Sequence, residues 1–288
     1  MNTTEQKIFE GVLLLSDIDG TLYSRKKEIP KCNIDSINRF VRLGGLFSIA
    51  SGRNPKSVLP AALASGVNCP CVTLNGTMIY DYEKNKAVAQ STLPPHYTDL
   101  LLRLREEFPE LGIQTYVGEH IHVARSSEVV ENLFRIEKQP KHVPENPMRC
   151  GDMELPPEPV NKILLGASPD QLAYVHDAVE NRYGDLMKGM KPLKTEVMYY
   201  EILPEFADKG TGALKLAQLC GVSPSKIAVV GDYYNDVEML AVASLPMVAN
   251  NAPEDIKSMV KYVACDCDDG AVADAIEHME KLILAGKW

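Results

Sequence analysis

The stretch "VLLLSDIDGTLYS", Val12–Ser24, decides the fold. Its four apolar residues, Val12–Leu15, run almost directly into Asp17 and Asp19, which are separated by one residue and followed by a glycine and a threonine. A short apolar run bounded by turn residues is typical of a strand that is buried on both faces. Two carboxylates at the end of such a strand repel each other unless the turn is solvated or a positive group lies beside them.

The first part of the chain alternates such apolar runs with helical patterns. The apolar runs predict strands at Val12–Leu15, Leu46–Ala50 and Cys71–Leu74. Apolar residues at helical spacing predict a helix over Ile34–Leu43, and Asn54 followed by Pro55 predicts the start of another that ends at Gly66. This alternation indicates a parallel sheet with right-handed crossovers.

The same alternation returns near the end of the chain. It predicts helices and strands at Thr211–Leu219, Ile227–Asp232, Asn235–Ala243, Pro246–Ala249, Lys261–Ala264 and Ala271–Leu284. The middle of the chain has a different pattern. It predicts a hairpin around Gly118–Glu119, a helix over Glu128–Glu137 and a mostly irregular segment with six prolines at 140–159. After that segment it predicts a strand at Lys162–Ala167, a helix at Asp170–Tyr183 and two strands between Asp185 and Leu203.

These patterns predict an α/β fold, with a Rossmann-like parallel-sheet core that is split in sequence. We expect the core to comprise residues 1–82 and 193–288. Residues 83–192 should form an inserted α+β domain, which at roughly a hundred residues has an ordinary domain size.

The composition of the chain argues against several classes of function. The chain has 288 residues and a formal net charge of −9, which argues against nucleic acid or an anionic membrane as its main partner. No apolar run is long enough to span a bilayer and no signal peptide is evident, so we expect a cytoplasmic protein. The seven cysteines are an odd number and fit reduced thiols better than a disulfide framework, and the two Cys-x-Cys pairs lack the four-ligand pattern of a zinc site.

Polar residues follow several of the predicted strands. Because ligands bind at the carboxyl ends of parallel strands, we expect the side chains in these positions to meet in one crevice. The residues concerned are Asp17, Asp19, Ser51, Asp232 and, four residues after the last, Asp236; Lys209 precedes the helix near Gly210.

Four aspartates in one crevice require a compensating charge. A divalent cation supplies it without protonation, and carboxylate oxygens with several waters suit Mg²⁺. The Lys209 ammonium and the Ser51 hydroxyl would then donate hydrogen bonds to an anion, as would backbone N–H groups of the turn at Gly20 and Thr21. A phosphoryl group fits this donor set best.

The spacing of the first two aspartates suggests separate chemical roles. Residues i and i+2 of a strand point to the same side, so Asp17 and Asp19 can both face one bound group. Asp17 could attack phosphorus and form an aspartyl-phosphate. Asp19 could protonate the leaving oxygen and then take a proton from the hydrolytic water.

These residues carry a resemblance to a known family. "DIDGTL", "SGR", Lys209 and "GDYYND" resemble, in the same order, the four motifs of the haloacid dehalogenase superfamily. The insert lies between the second and third motifs, as it does in the superfamily's C2-capped (type IIB) members. The stretches "EILPEFADKGTGALKLA" and "DDGAVADAIEHM" are similar to those of the Cof-type sugar-phosphate and cofactor phosphatases.

The resemblance implies a role for each matched residue. Asp17 would be the nucleophile and a metal ligand, and Asp19 the acid–base, with its backbone carbonyl also on the metal. Asp232 would bind Mg²⁺ directly. Asp236 would either bind the ion directly or contact a group that does. Ser51 and Lys209 would hold the phosphoryl oxygens and Asn235 would orient the phosphate or the lysine, while the expected pocket is completed by Gly20, Thr21, Gly52 and Arg53.

The sequence therefore predicts a Mg²⁺-dependent phosphatase of small phosphorylated metabolites, such as sugar phosphates or cofactor and nucleotide phosphates. The inserted domain would act as the cap that selects the substrate. A phosphotransferase or phosphosugar mutase with the same intermediate is an open alternative. A receiver-like module that is phosphorylated on Asp17 is a further one, although an acid–base at Asp19 argues against it.

Overall fold

The computed structural model describes residues 7–137, 148–151, 153–156 and 159–288. In these residues the strands are β1 (Leu13–Ser16), β2 (Leu46–Ile49), β3 (Cys71–Thr73), β4 (Met78–Asp81), β5 (Lys86–Gln90), β6 (Gly112–Val117), β7 (His120–Arg125), β8 (Met148–Cys150), β9 (Met153–Leu155), β10 (Lys162–Gly166), β11 (Met190–Glu196), β12 (Tyr199–Pro204), β13 (Ile227–Gly231), β14 (Leu245–Ala249) and β15 (Tyr262–Ala264). The α-helices are α1 (Lys31–Arg42), α2 (Pro55–Ser65), α3 (Tyr97–Glu107), α4 (Glu128–Glu137), α5 (Pro169–Asp177), α6 (Lys209–Leu219), α7 (Val237–Val242), α8 (Glu254–Lys257) and α9 (Ala271–Leu284).

Strand β1 lies inside a parallel sheet with the order β15-β14-β13-β1-β2. Leu13 pairs with Ile227 of β13 on one side and with Leu46 of β2 on the other. All four residues of β1 are buried, as expected for a strand covered on both faces. The predicted α/β fold with a parallel-sheet core is confirmed.

A single parallel bridge between Ala50 and Val72 links the end of β2 to β3. Strand β3 also pairs with β4 in antiparallel register, in a three-stranded sheet of order β3-β4-β5. The sequence analysis did not predict β4 or β5. The run "MIYD" of β4 ends in a charged residue, and "KAVAQ" of β5 begins with one and is mostly exposed, so neither has the uninterrupted apolar pattern of the central strands.

The helices of the core pack by apolar faces that the sequence pattern largely predicts. Helix α1 buries Ile37 and Phe40, and α9 buries Ile276 and Met279 in the same apolar cluster. Helix α2 begins as predicted, because the Asn54 side chain accepts a hydrogen bond of 2.8 Å from the backbone N–H of Ser57. Within the described residues, no helix is both long and apolar enough to cross a membrane.

A second sheet is antiparallel throughout and has the order β11-β12-β10-β6-β7. It contains the predicted hairpin, in which β6 and β7 pair around Gly118–Glu119. Its own apolar cluster includes Leu104 of α3, Ile163 of β10 and Ile202 of β12. Helix α3 was not predicted.

The chain divides into two compact units, and their boundaries differ from the predicted ones. The first unit comprises the chain up to Gly52, Val58–Val88 and Asp208–Trp288, and the second comprises Arg53–Ser57 and Ala89–Ala207. The predicted return to the core at residue 193 falls inside β11. Because β11 and β12 pair with each other and β12 pairs with β10, both strands belong to the inserted sheet and the boundary lies at Ala207.

Three further local predictions were wrong or incomplete. The proline-rich segment 140–159 was expected to be mostly irregular, and the short strands β8 and β9 that pair within it were not predicted; residues 138–147, 152 and 157–158 lie outside the described residues. The helix predicted at Asp170–Tyr183 is an α-helix to Asp177 and then one π-helical turn, Ala178–Arg182. The helix predicted from Asn235 begins as a 3₁₀ turn, Tyr234–Asp236, before α7.

The central position of β1 gives a stability prediction. We expect Leu14→Ala to lower the free energy of unfolding by about 2–5 kcal/mol, because the buried side chain would leave a cavity between packed layers. Leu63→Ala is the matched control, since Leu63 on α2 is 74% exposed and its loss should cost within about 0.5 kcal/mol. Urea denaturation measures both, and equal midpoints for the two variants would contradict the assigned core.

Candidate active site

The end of β1 holds Asp17 beside the neighbouring strand. Its backbone N–H donates to the carbonyl of Val230 at 3.0 Å, which continues the pairing with β13 for one more residue. The chain then turns, and the N–H of Leu22 returns to the carbonyl of Asp17 at 3.2 Å. Gly20 makes this turn possible because its φ is +81° and because a Cβ there would lie 2.2 Å from Asp232 Oδ2.

Helix α6 carries Lys209 to the same place. Asp208 caps the helix, and its side chain accepts from the backbone N–H of Thr211 at 2.7 Å. The Lys209 side chain has no exposed surface, and its Nζ donates to Asp17 Oδ1 and to Asp236 Oδ1, both at 2.7 Å. Gly76 lets the helix start approach closely, since a Cβ there would lie 1.8 Å from the Asp208 carbonyl oxygen.

The charges of this cluster depend on one another. Burial alone would lower the pKa of Lys209, but the carboxylates of Asp17 and Asp236 outweigh it and the net shift is upward. Burial raises the pKa of Asp17 to about 7, with Lys209 opposing the rise and Asp236 and Asp19 adding to it. The two carboxylates therefore favour the charged form of the lysine, whereas one positive charge does not fully compensate the carboxylates around it.

Asp236 and Asp232 lie on the loop after β13. Asp236 Oδ2 accepts from the backbone N–H of Asp232 at 2.9 Å and of Tyr233 at 3.2 Å. Asp232 Oδ1 accepts from the Thr21 hydroxyl at 3.1 Å. Its Oδ2 accepts from Asn251 Nδ2 at 3.2 Å, and the same amide nitrogen donates to the Gly20 carbonyl at 2.8 Å. Hydrogen bonds thus tie the β13 loop to the β1 turn.

Asp17, Asp232 and Asp236 have the geometry of a cation site. One oxygen from each of the three carboxylates lies within 4.8 Å of the other two. Burial, with the charges of Asp17 and Asp236, raises the pKa of Asp232 to about 8. Three carboxylates and one ammonium leave two negative charges uncompensated when all are ionised, and hard oxygen donors suit a divalent cation. The site could therefore hold such an ion.

The loops after β2 and β3 form the other side of the site. The Ser51 N–H donates to the Val72 carbonyl at 2.9 Å, and the Asn75 N–H donates to the Ser51 carbonyl at 3.0 Å. Asn75 Oδ1 accepts from Asn235 Nδ2 at 3.4 Å. A Cβ at Gly52 would lie 2.9 Å from Asn75 Nδ2, so a side chain there would displace the Asn75 amide.

Two predicted site residues have other surroundings. Asp19 Oδ1 accepts from Lys27 Nζ at 2.7 Å in a partly exposed ion pair. Lys27 has a φ of +60°, so the loop after the turn is held in an uncommon conformation. Arg53 belongs to the short segment Arg53–Ser57 that groups with the second unit, and its part in the site stays a prediction.

Sequence reasoning missed three residues that this geometry brings in: Lys27, Asn75 and Asn251. Asn251 follows the parallel strand β14, and Asn75 follows β3, which the parallel bridge from Val72 to Ala50 links to β2; a strand end is the position from which the other site residues were found. Applying that rule to every strand end would have identified both asparagines. No comparable signal marks Lys27, because it reaches Asp19 through the conformation of its loop.

The sequence model of the haloacid dehalogenase-like hydrolases matches residues 14–276, nearly the whole chain. The chain belongs to this family. The resemblance seen in the motifs is thereby confirmed, and with it the expectation that the protein is an enzyme.

Individual haloacid dehalogenase-like proteins resemble the chain over most of its length. The pyridoxal phosphate phosphatase YbhA of Escherichia coli is 24% identical over 271 residues, which cover 90% of this chain and 95% of that protein. A haloacid dehalogenase-like hydrolase from Bacteroides thetaiotaomicron has a solved structure with a TM-score of 0.79 and 25% identity, covering 93% and 99% of the two chains. A solved subclass IIB sugar phosphatase of the same superfamily has a TM-score of 0.76 and 19% identity, covering 93% and 98%.

The turn at Gly20 gives a test of the cation site. We expect Gly20→Ala to reduce the affinity for a divalent cation, titrated as Mg²⁺ by calorimetry, by at least about tenfold, because the new Cβ would displace the Asp232 carboxylate. Gly221→Ala is the matched control: Gly221 also has a positive φ, +68°, but a Cβ there has no atom within 4 Å. The control should lose stability and keep its affinity; equal affinity in both variants would contradict the assigned geometry.

Proposed function

We propose that this haloacid dehalogenase-like hydrolase is a Mg²⁺-dependent phosphatase of small phosphorylated metabolites that acts through an aspartyl-phosphate. The observation that carries the proposal is the buried Lys209, whose Nζ lies 2.7 Å from both Asp17 and Asp236 at the carboxyl edge of the parallel sheet. Two of its relatives are a pyridoxal phosphate phosphatase and a sugar phosphatase, which supports the same reaction class.

The first half-reaction would use both aspartates of the β1 turn. A carboxylate oxygen of Asp17 attacks phosphorus in line with the ester oxygen, and the bond from phosphorus to that oxygen breaks. Asp19 gives its proton to the leaving oxygen, for which its ion pair with Lys27 must open. That pair is partly exposed and therefore costs little to break.

The second half-reaction would return Asp17 to its starting state. Asp19, now ionised, takes a proton from a water that attacks phosphorus, and the bond from phosphorus to Asp17 breaks. Lys209 has three N–H donors, of which two are bound to Asp17 and Asp236, and the third would bind a phosphoryl oxygen. The Ser51 hydroxyl would hold a second phosphoryl oxygen, and Asn235 and Asn75 would keep its loop in place.

Mg²⁺ would be held by the carboxylates of Asp17, Asp232 and Asp236 and by the backbone carbonyl of Asp19. When bound, it would withdraw charge from the phosphoryl oxygens and offset the repulsion between the phosphate and the aspartates. The hydrogen bonds from Thr21 and Asn251 keep Asp232 oriented for this purpose. We further propose that the inserted unit selects the organic part of the substrate.

Replacing the nucleophile gives the first test. We expect Asp17→Asn to lower kcat for p-nitrophenyl phosphate by about a thousandfold or more, because a neutral amide cannot attack phosphorus. The control is Asp35→Asn, which removes an exposed carboxylate on α1 that pairs with Lys31. The control should keep the wild-type rate; a near-normal rate in Asp17→Asn would refute the proposal.

Removal of the metal gives the second test. Chelator should silence the wild-type enzyme and Mg²⁺ should restore it. Saturating Mg²⁺ should also raise the melting temperature. A free ion concentration of 100 times the Kd adds about 2.7 kcal/mol to the free energy of unfolding when only the folded protein binds the ion. Asp232→Asn should lose most of this thermal shift. A melting temperature of the wild type that does not respond to Mg²⁺ would contradict the metal assignment.

A further inference from the structure

Two of the seven cysteines lie side by side at the end of α6 that is remote from the candidate active site. Cys220 is the residue that directly follows α6, and Cys69 lies in the loop before β3. Each thiol is the hydrogen-bond partner of the other, and both residues are half-buried. The chemistry proposed above uses neither of them.

The packing of α6 on β3 brings these thiols together. At the start of the helix, a Cβ at Gly76 would lie 1.8 Å from the Asp208 carbonyl oxygen. Further along the helix, a Cβ at Gly212 would lie 2.5 Å from Val72 Cγ1. The residue number rises along α6 while it falls along the facing segment, so the two run in opposite directions in close contact.

The lengths of the two segments agree with this arrangement. The helical chain from Asp208 to Cys220 rises about 18 Å. The turn and strand from Gly76 back to Cys69 cover about 20 Å. Because both segments begin at the same close approach, their other ends also lie together, which is where the two thiols meet.

The chain on either side of Cys69 is held by the start of β2. Asn68 Oδ1 accepts from the Phe47 N–H at 2.8 Å, and the Ser48 hydroxyl donates to the Pro70 carbonyl at 2.8 Å. The Cys69 thiol lies 3.4 Å from the Phe47 carbonyl oxygen. The other thiol is equally fixed, because its residue closes the last turn of α6. Only a small movement is therefore needed to reach the S–S bond length of about 2.05 Å.

A third cysteine nearby does not turn the pair into a metal site. Cys71 is fully buried in the apolar cluster of the core, and burial raises the pKa of its thiol to about 12. Within the part of the chain that the structure describes, two groups of carboxylates and thiols have donor atoms close enough for one ion. Neither group contains Cys69, Cys71 or Cys220. The chemistry open to the pair is therefore that of two thiols.

The two thiols differ in reactivity. The hydrogen bond from Cys69 lowers the pKa of Cys220 to about 7, and the same bond, together with burial, raises the pKa of Cys69. The carboxyl end of a helix disfavours an anion, so the Cys220 thiolate depends on this hydrogen bond. Cys220 is therefore the nucleophile of the pair, and Cys69 is the thiol that reacts second.

We propose that Cys69 and Cys220 form a redox modification site, at which a hydroperoxide converts the two thiols into a disulfide that ties the end of α6 to the loop before β3. This inference is independent of the proposed phosphatase activity. The geometry requires no other residue to take part, and a dithiol reductant would restore both thiols.

The oxidation would take two steps. The Cys220 sulfur attacks the peroxide, an S–O bond forms and the O–O bond breaks, and the leaving oxygen takes up the proton that Cys220 has lost. The Cys69 sulfur then attacks the sulfenic sulfur, the S–S bond forms, and the hydroxide leaves as water with the proton of Cys69. The two thiols lose two electrons, which the peroxide accepts.

The disulfide would constrain the helix that carries Lys209 without reaching the reacting groups. Lys209 lies at the other end of α6, about 17 Å away along the helix axis. The new bond would close a loop of roughly 150 residues, and a cross-link over so long a loop strongly restricts the unfolded chain. The oxidised protein should therefore resist unfolding better than the reduced one.

The test oxidises the whole protein with hydrogen peroxide, alkylates the remaining thiols and sequences the peptides without reduction. We expect a cross-linked pair of peptides that joins positions 69 and 220. Oxidation should raise the melting temperature by about 5 °C or more, and dithiothreitol should reverse the change. Cys220→Ser should lose both the cross-link and the shift. Cys32→Ser removes an exposed thiol of α1 and, as the matched control, should keep both.

A second variant tests the order of the two steps. In Cys69→Ala, Cys220 should react with iodoacetamide at pH 7 at least about fivefold more slowly than in the wild type, because its thiolate has lost the hydrogen bond. Prolonged peroxide should then carry Cys220 to the sulfinic acid. No cross-link, a cross-link to Cys71 instead, an unchanged melting temperature or an unchanged alkylation rate overturns the proposal. A protein that forms the disulfide but hydrolyses no phosphate ester refutes the proposed function alone.

Discussion

Lys209 joins two buried carboxylates, Asp17 and Asp236, through hydrogen bonds of 2.7 Å, and the geometry of the site depends on this contact. Removing one partner of a buried ion pair typically costs about 3–5 kcal/mol, because the remaining charge is left without compensation. The lysine therefore links three separate parts of the chain: the end of β1, the start of α6 and the loop after β13. It fixes where the carboxylates lie before any substrate binds.

Several close approaches allow these parts to converge. The parallel register of β1 with β13 brings Asp17 beside the loop that carries Asp232. A side chain at Gly76 would hold the start of α6 away, and one at Gly20 would occupy the place of the Asp232 carboxylate. Asn251 and Asn75 then connect neighbouring loops through amide hydrogen bonds. The sheet thus sets the approximate positions of the side chains in the site, and the glycines and asparagine amides set their final positions.

Much of this could be predicted from the sequence, for physical reasons that differ between residues. Asp17 and Asp232 each follow an uninterrupted apolar run, so the rule that ligands bind at strand ends finds them. Asn75 and Asn251 obey the same rule, but an asparagine after a strand is also an ordinary turn residue and carries no charge that demands a partner. The pairing of Lys27 with Asp19 depends on a left-handed backbone conformation at Lys27, which a lysine rarely adopts.

The boundaries of the two units were also only partly predictable from the sequence. The insert was expected to end at residue 192, between the two strands predicted from Asp185 to Leu203. Strands β11 and β12 instead pair inside the antiparallel sheet of the second unit, and pairing partners are not visible in a strand's own pattern. The strands β8 and β9 were not predicted because the prolines around them indicate irregular chain.

The central claim is that Asp17 carries the phosphoryl group during turnover, and chemical trapping tests it most directly. The enzyme would be quenched in acid during steady hydrolysis of a phosphate ester and then treated with borohydride, which reduces a phosphorylated aspartate to homoserine. Peptide sequencing should find homoserine at position 17 and aspartate at positions 19, 232 and 236. Homoserine at another of these positions, or at none of them while phosphate is released, would contradict the account.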